Sequence, residues 1–166
     1  MKISLLLVDD HAVVRSGLRM LLENQEDVEI IGEAGTSKEA IGLMADIQPD
    51  VVVMDIGLPD ESGILTAQRI KERSPETAIV ALTIHEDEEY FFKMLEAGAS
   101  GYVPKRAAPD ELLTAIRLAA SGEVYLYPSL AKLLVKDYLS QDEAARSERT
   151  LNGLTDREQE VLAHLA

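Results

Sequence analysis

Along the first 121 residues, short continuously apolar runs alternate with longer stretches in which apolar side chains recur every three or four positions. The short runs predict strands at 3–8, 28–34, 51–55, 78–83 and 101–104, and the longer stretches predict helices at 12–24, 37–47, 62–73, 86–97 and 109–121. Val14, Leu18, Leu21 and Leu22 make one apolar face on the first helix, and Leu112, Leu113, Ile116 and Ala120 do so on the last. Thr36, Ser37 and Asp110 stand where helix starts need caps or first-turn polar groups, while Gly98 and Gly122 stand where helices should stop. Strands such as "VVVMD" and "IVALT" are apolar on both faces. That pattern predicts an α/β fold, a parallel sheet covered by helices on each side.

In such a sheet all strands end on one edge, the edge where open α/β sheets place their sites. The expected edge carries Asp9 and Asp10 after the first strand, Asp55 at the end of the third, Thr83 at the end of the fourth and Lys105 just after the fifth. Adjacent carboxylates repel, and three in one cleft raise one another's pKa unless a cation neutralises them. An oxygen-only donor set predicts Mg²⁺ rather than zinc. Lys105 and Thr83 suit an anion and, with the metal, would stabilise an incoming phosphoryl group; Asp55 can then act as nucleophile and form an aspartyl phosphate. Taken singly these residues are ordinary: an Asp pair caps a helix, "IGLPDESG" is a polar turn, and a lone lysine is solvated. Their convergence at strand ends is what points to a site.

Charge narrows the partners. The chain carries a net −14, and residues 1–121 hold 11 basic against 22 acidic side chains, a net −11. That region repels phosphate backbones, so it is not expected to bind nucleic acid by itself, and it favours a divalent cation. The absence of cysteine excludes disulfides, thiolate metal sites and a cysteine nucleophile, and three histidines are too few for a histidine-rich zinc site. No apolar run approaches the roughly 20 residues needed to span a bilayer, and the N-terminal run is too short for a secretory signal. The expectation is a cytoplasmic protein with no membrane partner.

Beyond residue 121 the alternation stops. "YPSLAKLLVKDYLSQ" predicts one amphipathic helix with Leu130, Leu133, Leu134 and Tyr138 on a face, and "DEAARSERTLNG" reads as a polar linker. "LTDREQEVLAHLA" opens another helix: Thr155 and Glu158 have capping-box spacing, and Val161, Leu162 and Leu165 begin an apolar face. A lone helix of that length is marginal in water, so the natural protein is expected to continue.

"LLVDDH", "VVVMDIGLPDESG", "VALTIH" and "GYVPK", in that order and spacing, resemble the receiver domain of two-component response regulators. "LTDREQEVLAHLA" is similar to the start of a LuxR-type helix-turn-helix, which makes the whole resemble the NarL/FixJ class of transcriptional regulators. The resemblance implies a flavodoxin-like receiver over residues 1–121, a five-stranded doubly wound parallel sheet of order 2-1-3-4-5. It implies a helical and polar linker over 122–150 and, over 151–166, the first helix of a truncated DNA-binding domain. Asp55 would receive a phosphoryl group from a sensor histidine kinase. Asp10 would bind Mg²⁺ directly, Asp9 through water or a weaker contact, and the backbone carbonyl of Gly57 would complete the protein ligands, with Asp55 among them. Lys105 would pair with the phosphoryl group, and Thr83 and Tyr102 would form the switch pair. Phosphorylation adds up to about two negative charges and three acceptor oxygens. Thr83 would move toward them and the Tyr102 ring would rotate inward, reshaping the surface of the fourth and fifth helices.

Gly57 and His85, each two residues after a site residue, flank the approach of the hydrolytic water in this family. Gly57 offers no side chain to orient that water and His85 would obstruct it, so self-dephosphorylation is expected to be slow. Phosphorylation would then alter homodimerisation or contact with the DNA-binding domain, and so transcription. The recognition helix is absent from these 166 residues, so this chain is not expected to bind operator DNA itself. Nor is it expected to be an enzyme beyond self-phosphorylation from small donors and self-dephosphorylation. Two rivals remain. An Mg²⁺-dependent phosphatase of the haloacid dehalogenase type would place its nucleophile in a D-x-D pattern after the first strand, where this chain has "DDH". A flavin-binding module would need a hydroxyl-rich or Gly-rich phosphate cradle there.

Overall fold

The computed structural model describes residues 2–84, 88–107 and 109–144. His85 and the expected linker end and helix over 145–166 lie outside the described residues. Strands β1 (Ile3–Val8), β2 (Val28–Ala34), β3 (Val51–Asp55), β4 (Ala78–Thr83) and β5 (Gly101–Pro104) fall where the apolar runs predict them. Between them run α1 (Ala12–Glu23), α2 (Ser37–Met44), α3 (Gly63–Arg73), α4 (Glu88–Glu96) and α5 (Pro109–Ala120). Thr36 caps α2 by accepting from the Glu39 amide at 3.1 Å, and Ser62 caps α3 by accepting from Ile64 at 3.2 Å. Gly98 and Gly122 follow α4 and α5 with φ of +101° and +83°, the left-handed turn that glycine adopts without strain.

The sheet has one strand more than the sequence predicts. Its order is β2-β1-β3-β4-β5-β6, all parallel, and β6 is the two-residue piece Tyr125–Leu126. Gly101 and Tyr102 of β5 pair with Tyr125 and Leu126, so β6 covers the β5 edge. Its two half-exposed residues lie in the short apolar run 124–127, and they form a strand where β5 offers donors and acceptors beside them.

Alternate residues of each strand feed two cores. Leu5, Leu7, Val53, Val80 and Val103 meet Leu22 of α1 and Leu112, Leu113 and Ile116 of α5 on one face. Leu6, Val8, Met54, Ile79, Ala81 and Tyr102 meet residues of α2, α3 and α4 on the other, among them Ala40, Ile70, Phe91 and Leu95. The same core takes Leu134 from α6 (Pro128–Ala144), the helix predicted from "YPSLAKLLVKDYLSQ". Leu133 packs against this core too, while Val135 and Leu139 are exposed. On α4, Tyr90 is exposed and Phe92 packs partly on the core. Among the described residues no helix is long and apolar enough to cross a membrane.

A carboxylate and lysine cluster at the strand ends

β1 delivers Asp9 to the C-terminal edge with its side chain 1% exposed, and the Asp9 amide donates to the Ala34 carbonyl at 3.0 Å, fixing it to the end of β2. Asp9 Oδ1 accepts from the His11 amide at 2.8 Å, and His11 Nδ1 lies 3.2 Å from both Asp9 Oδ1 and Asp10 Oδ1. Arg15, one turn into α1, donates from Nη1 to the Asp9 carbonyl. A Cβ at Gly35 would come within 3.0 Å of that Nη1, so the glycine makes room for the guanidinium.

β3 ends in Asp55, also buried. Its Oδ1 accepts from the Gly57 amide at 3.0 Å and its Oδ2 from Lys105 Nζ at 3.0 Å. Lys105 reaches there because its own amide donates to the Thr83 carbonyl at 2.7 Å, tying the end of β5 to the end of β4. Lys105 Nζ also lies 3.0 Å from Asp9 Oδ2, off the axis of a hydrogen bond; among the described residues no donor is aligned on that buried oxygen. Burial pulls the Lys105 ammonium down, but the hydrogen bond to Asp55 and the negative charges of Asp55 and Asp9 outweigh it and hold it above the usual lysine value.

Carboxylate oxygens of Asp9, Asp10 and Asp55 and a nitrogen of His11 all lie within 4.8 Å of one another. Three carboxylates facing one ammonium leave two negative charges uncompensated, and the buried Asp9 Oδ2 has charge opposite it without a hydrogen bond. A hard divalent cation answers both conditions, so the donor set fits Mg²⁺. Gly57 has ordinary backbone angles, and a Cβ there would have only Asp55 Oδ1 nearby, at 3.9 Å.

Thr83, whose carbonyl accepts from the Lys105 amide, and Tyr102, on the strand that ends just before Lys105, are both buried. Tyr102 is 0% exposed and meets Phe91 edge-on, with ring centroids 5.3 Å apart at 77°. The expected inward rotation therefore has no outward-facing start here: the ring already lies in the core with Phe91 and Leu134. Sequence reading missed His11 and Arg15 as parts of the site. "DDH" placed the histidine next to the acids, but a lone arginine on a helix gives no signal until the fold brings it under Asp9.

Residues 5–117 match the response regulator receiver domain family. The chain belongs to that family. It is 39% identical over 166 residues to the oxygen regulatory protein NreC of Staphylococcus epidermidis, covering 98% of this chain and 76% of that protein. It is similar to a crystal structure of a LuxR-family two-component response regulator from an Aurantimonas species, with a TM-score of 0.79 at 34% identity over 84% of this chain and 99% of that one. RcsB from Salmonella enterica serovar Typhimurium, bound to a promoter in the presence of the phosphomimetic BeF3⁻, matches with a TM-score of 0.71 at 27% identity, covering 86% of this chain and 70% of that one. The chain is thus a two-component response regulator of the NreC and NarL type with a flavodoxin-like receiver. Regulators of this kind are not turnover enzymes of the ordinary sort, and the comparisons give the phosphatase alternative no support.

Proposed function

We propose that Asp55 is the phosphoacceptor of this response regulator. The observation that carries the reading is the Lys105 ammonium held 3.0 Å from both Asp55 Oδ2 and Asp9 Oδ2 at the strand ends. Asp55 Oδ1 is held by the Gly57 amide, so the carboxylate is oriented before any donor arrives. An Asp55 oxygen attacks phosphorus, the P–N bond of a phosphohistidine on the sensor kinase breaks, and the imidazole leaves with its electron pair and takes up a proton. Lys105 then turns its charge from the carboxylate to the phosphoryl oxygens. Mg²⁺ held by Asp9, Asp10, Asp55 and the Gly57 carbonyl would supply the remaining positive charge for those oxygens.

Thr83 and Tyr102 form the switch, with Tyr102 starting from its buried position against Phe91. Gly57 leaves the approach to Asp55 without a water-orienting side chain, so the phosphoryl group is long-lived. The receiver works in the cytoplasm over residues 1–121; residues 122–150 link it to a helix-turn-helix domain beginning at 151, through which phosphorylation, by way of dimerisation or domain contact, controls binding to promoter DNA. The promoter-bound RcsB structure supports that output.

Incubation with Mg²⁺ and acetyl phosphate, read by intact mass, tests the assignment. The wild type gains one phosphoryl group and Asp55→Asn none; an unmodified wild type, or equal labelling of both, sinks it.

A further inference from the structure

The loop between β3 and α3 crosses to the start of α2 and is fastened there by two acids. Asp60 Oδ1 accepts from the Ser37 amide at 2.8 Å and Asp60 Oδ2 from the Lys38 amide at 3.0 Å. Glu61 Oε2 accepts from Ser37 Oγ at 3.1 Å and from Arg69 at 2.9 Å, and Thr66 Oγ1 donates to Ser37 Oγ at 2.7 Å. Thr36 serves the third α2 amide, so Asp60 takes the two that a helix leaves open and places a carboxylate at the positive end of its dipole. The Ser37 and Lys38 amides hold the Asp60 carboxyl below its ordinary range.

The same loop carries Gly57, whose amide orients Asp55 Oδ1. Its two limbs are short and differently held. The near limb is set by the Ile56 amide on the Leu82 carbonyl at 3.2 Å and by buried Ile56 and Leu58. The far limb returns over Gly63, whose amide donates to the Ile56 carbonyl at 2.8 Å; a Cβ there would strike Ile56 Cα at 2.6 Å. Between them the loop leaves the body of the sheet, and Asp60, through two backbone amides, and Glu61, through the Ser37 hydroxyl, tie it down again. A capping role alone would ask only for a residue next to α2 in sequence, which Thr36 already supplies. Asp60 comes from 23 residues away. Rigid placement of a reacting group depends on such supports.

We propose that Asp60 is a positioning residue for the phosphoacceptor, latching the β3–α3 loop onto α2 so that the Gly57 amide holds the Asp55 carboxylate in its reactive orientation. The proposal rests on the reading of Asp55 given above. Its test compares Asp60→Ala and Asp60→Asn with Thr36→Ala, which removes a cap from the same helix without touching the loop. Amide hydrogen exchange of Gly57 and the initial rate of labelling by acetyl phosphate with Mg²⁺ are measured on the whole chain. Asp60→Ala, which removes both hydrogen bonds, should speed Gly57 exchange and slow labelling, each by at least roughly tenfold, the low end of what a hydrogen bond to a charged group contributes. Asp60→Asn, which keeps one acceptor oxygen, should fall between, and Thr36→Ala should stay near wild type in both. Gly57 exchange or labelling that responds equally to Asp60→Ala and Thr36→Ala overturns the proposal. A wild type that acetyl phosphate does not label overturns the Asp55 reading instead, while Gly57 exchange still decides whether Asp60 latches the loop.

Discussion

Lys105 lies between two buried carboxylates that repel each other, and removing it separates two quantities that usually move together. In Lys105→Met the cluster loses its only ammonium, so Asp9 and Asp55 attract a divalent cation more strongly, while the phosphoryl oxygens lose the charge that should receive them. Calorimetric titration should therefore show tighter Mg²⁺ binding and labelling by acetyl phosphate should be slower. Without Mg²⁺ the variant should lose about 3 kcal/mol of stability, the usual cost of leaving a buried charge without its partner. Saturation at about 100 times the dissociation constant should return roughly 2.7 kcal/mol of it, seen as a recovered melting temperature. Gly57 makes the complementary case. A Cβ there meets only Asp55 Oδ1, at ordinary contact distance, so Gly57→Asn fits without strain and brings an amide able to hold a water beside the phosphoryl group. Loss of label after removal of acetyl phosphate should be several-fold faster than in wild type; an unchanged half-life would remove Gly57 from the control of lifetime.

Elements were legible in the sequence where their own residues specify them. The five long strands are apolar runs bounded by turns, and each begins and ends where the pattern places it. α2 stops at Met44, three residues before the predicted end, and β6 was missed because its run, 124–127, is short and follows the point where the alternation of strands and helices stops; its pairing with β5 makes it a strand. The cluster followed the same rule: Asp9, Asp10, Asp55 and Lys105 come together because strand ends place them, whereas Arg15 and Asp60 act on backbone groups 6 and more than 20 residues away and look like surface charges until the chain folds. Helix docking shows it again. Arg117 of α5 grips Asp27 with two hydrogen bonds of 2.8 and 3.1 Å, pinning α5 to the turn before β2. The Arg117 hydrogen bonds hold the Asp27 carboxyl below its ordinary 3.8. A depressed folded-state pKa gives stability that is present above 3.8 and is lost as pH falls through the folded value. Asp27→Asn should thus cost under about 1 kcal/mol at neutral pH, since the pair is half exposed, and the gap to wild type should close in acid unfolding below that pH. At α6, Leu134 is 1% exposed in the core that holds Tyr102 and Phe91. Leu134→Ala should cost about 2–4 kcal/mol in urea unfolding, whereas Leu139→Ala, on the exposed side, should cost little.

At the scale of the whole molecule, charge separates the receiver from its output. The chain carries 30 acidic against 16 basic side chains, and phosphorylation adds up to about two further negative charges. Both oppose approach to DNA, whose backbone contributes most of the salt-dependent affinity of a binding protein. A gain in DNA affinity on phosphorylation therefore cannot come from the new charge itself; it must come from geometry, through a rearranged receiver surface or a second copy that brings two DNA-binding domains together. β6 pairs with the backbone of Tyr102 and α6 shares its core, so the rearrangement proposed at Tyr102 would reach both. For the 166-residue chain, fluorescence anisotropy with promoter DNA should show no sequence-selective binding, with or without acetyl phosphate, down to low salt. For a chain carrying the whole helix-turn-helix domain, phosphorylation should raise affinity while leaving the slope of log affinity against log salt unchanged per bound protomer. A slope that steepens per protomer on phosphorylation would mean that new phosphate contacts, not a rearrangement of existing ones, carry the response.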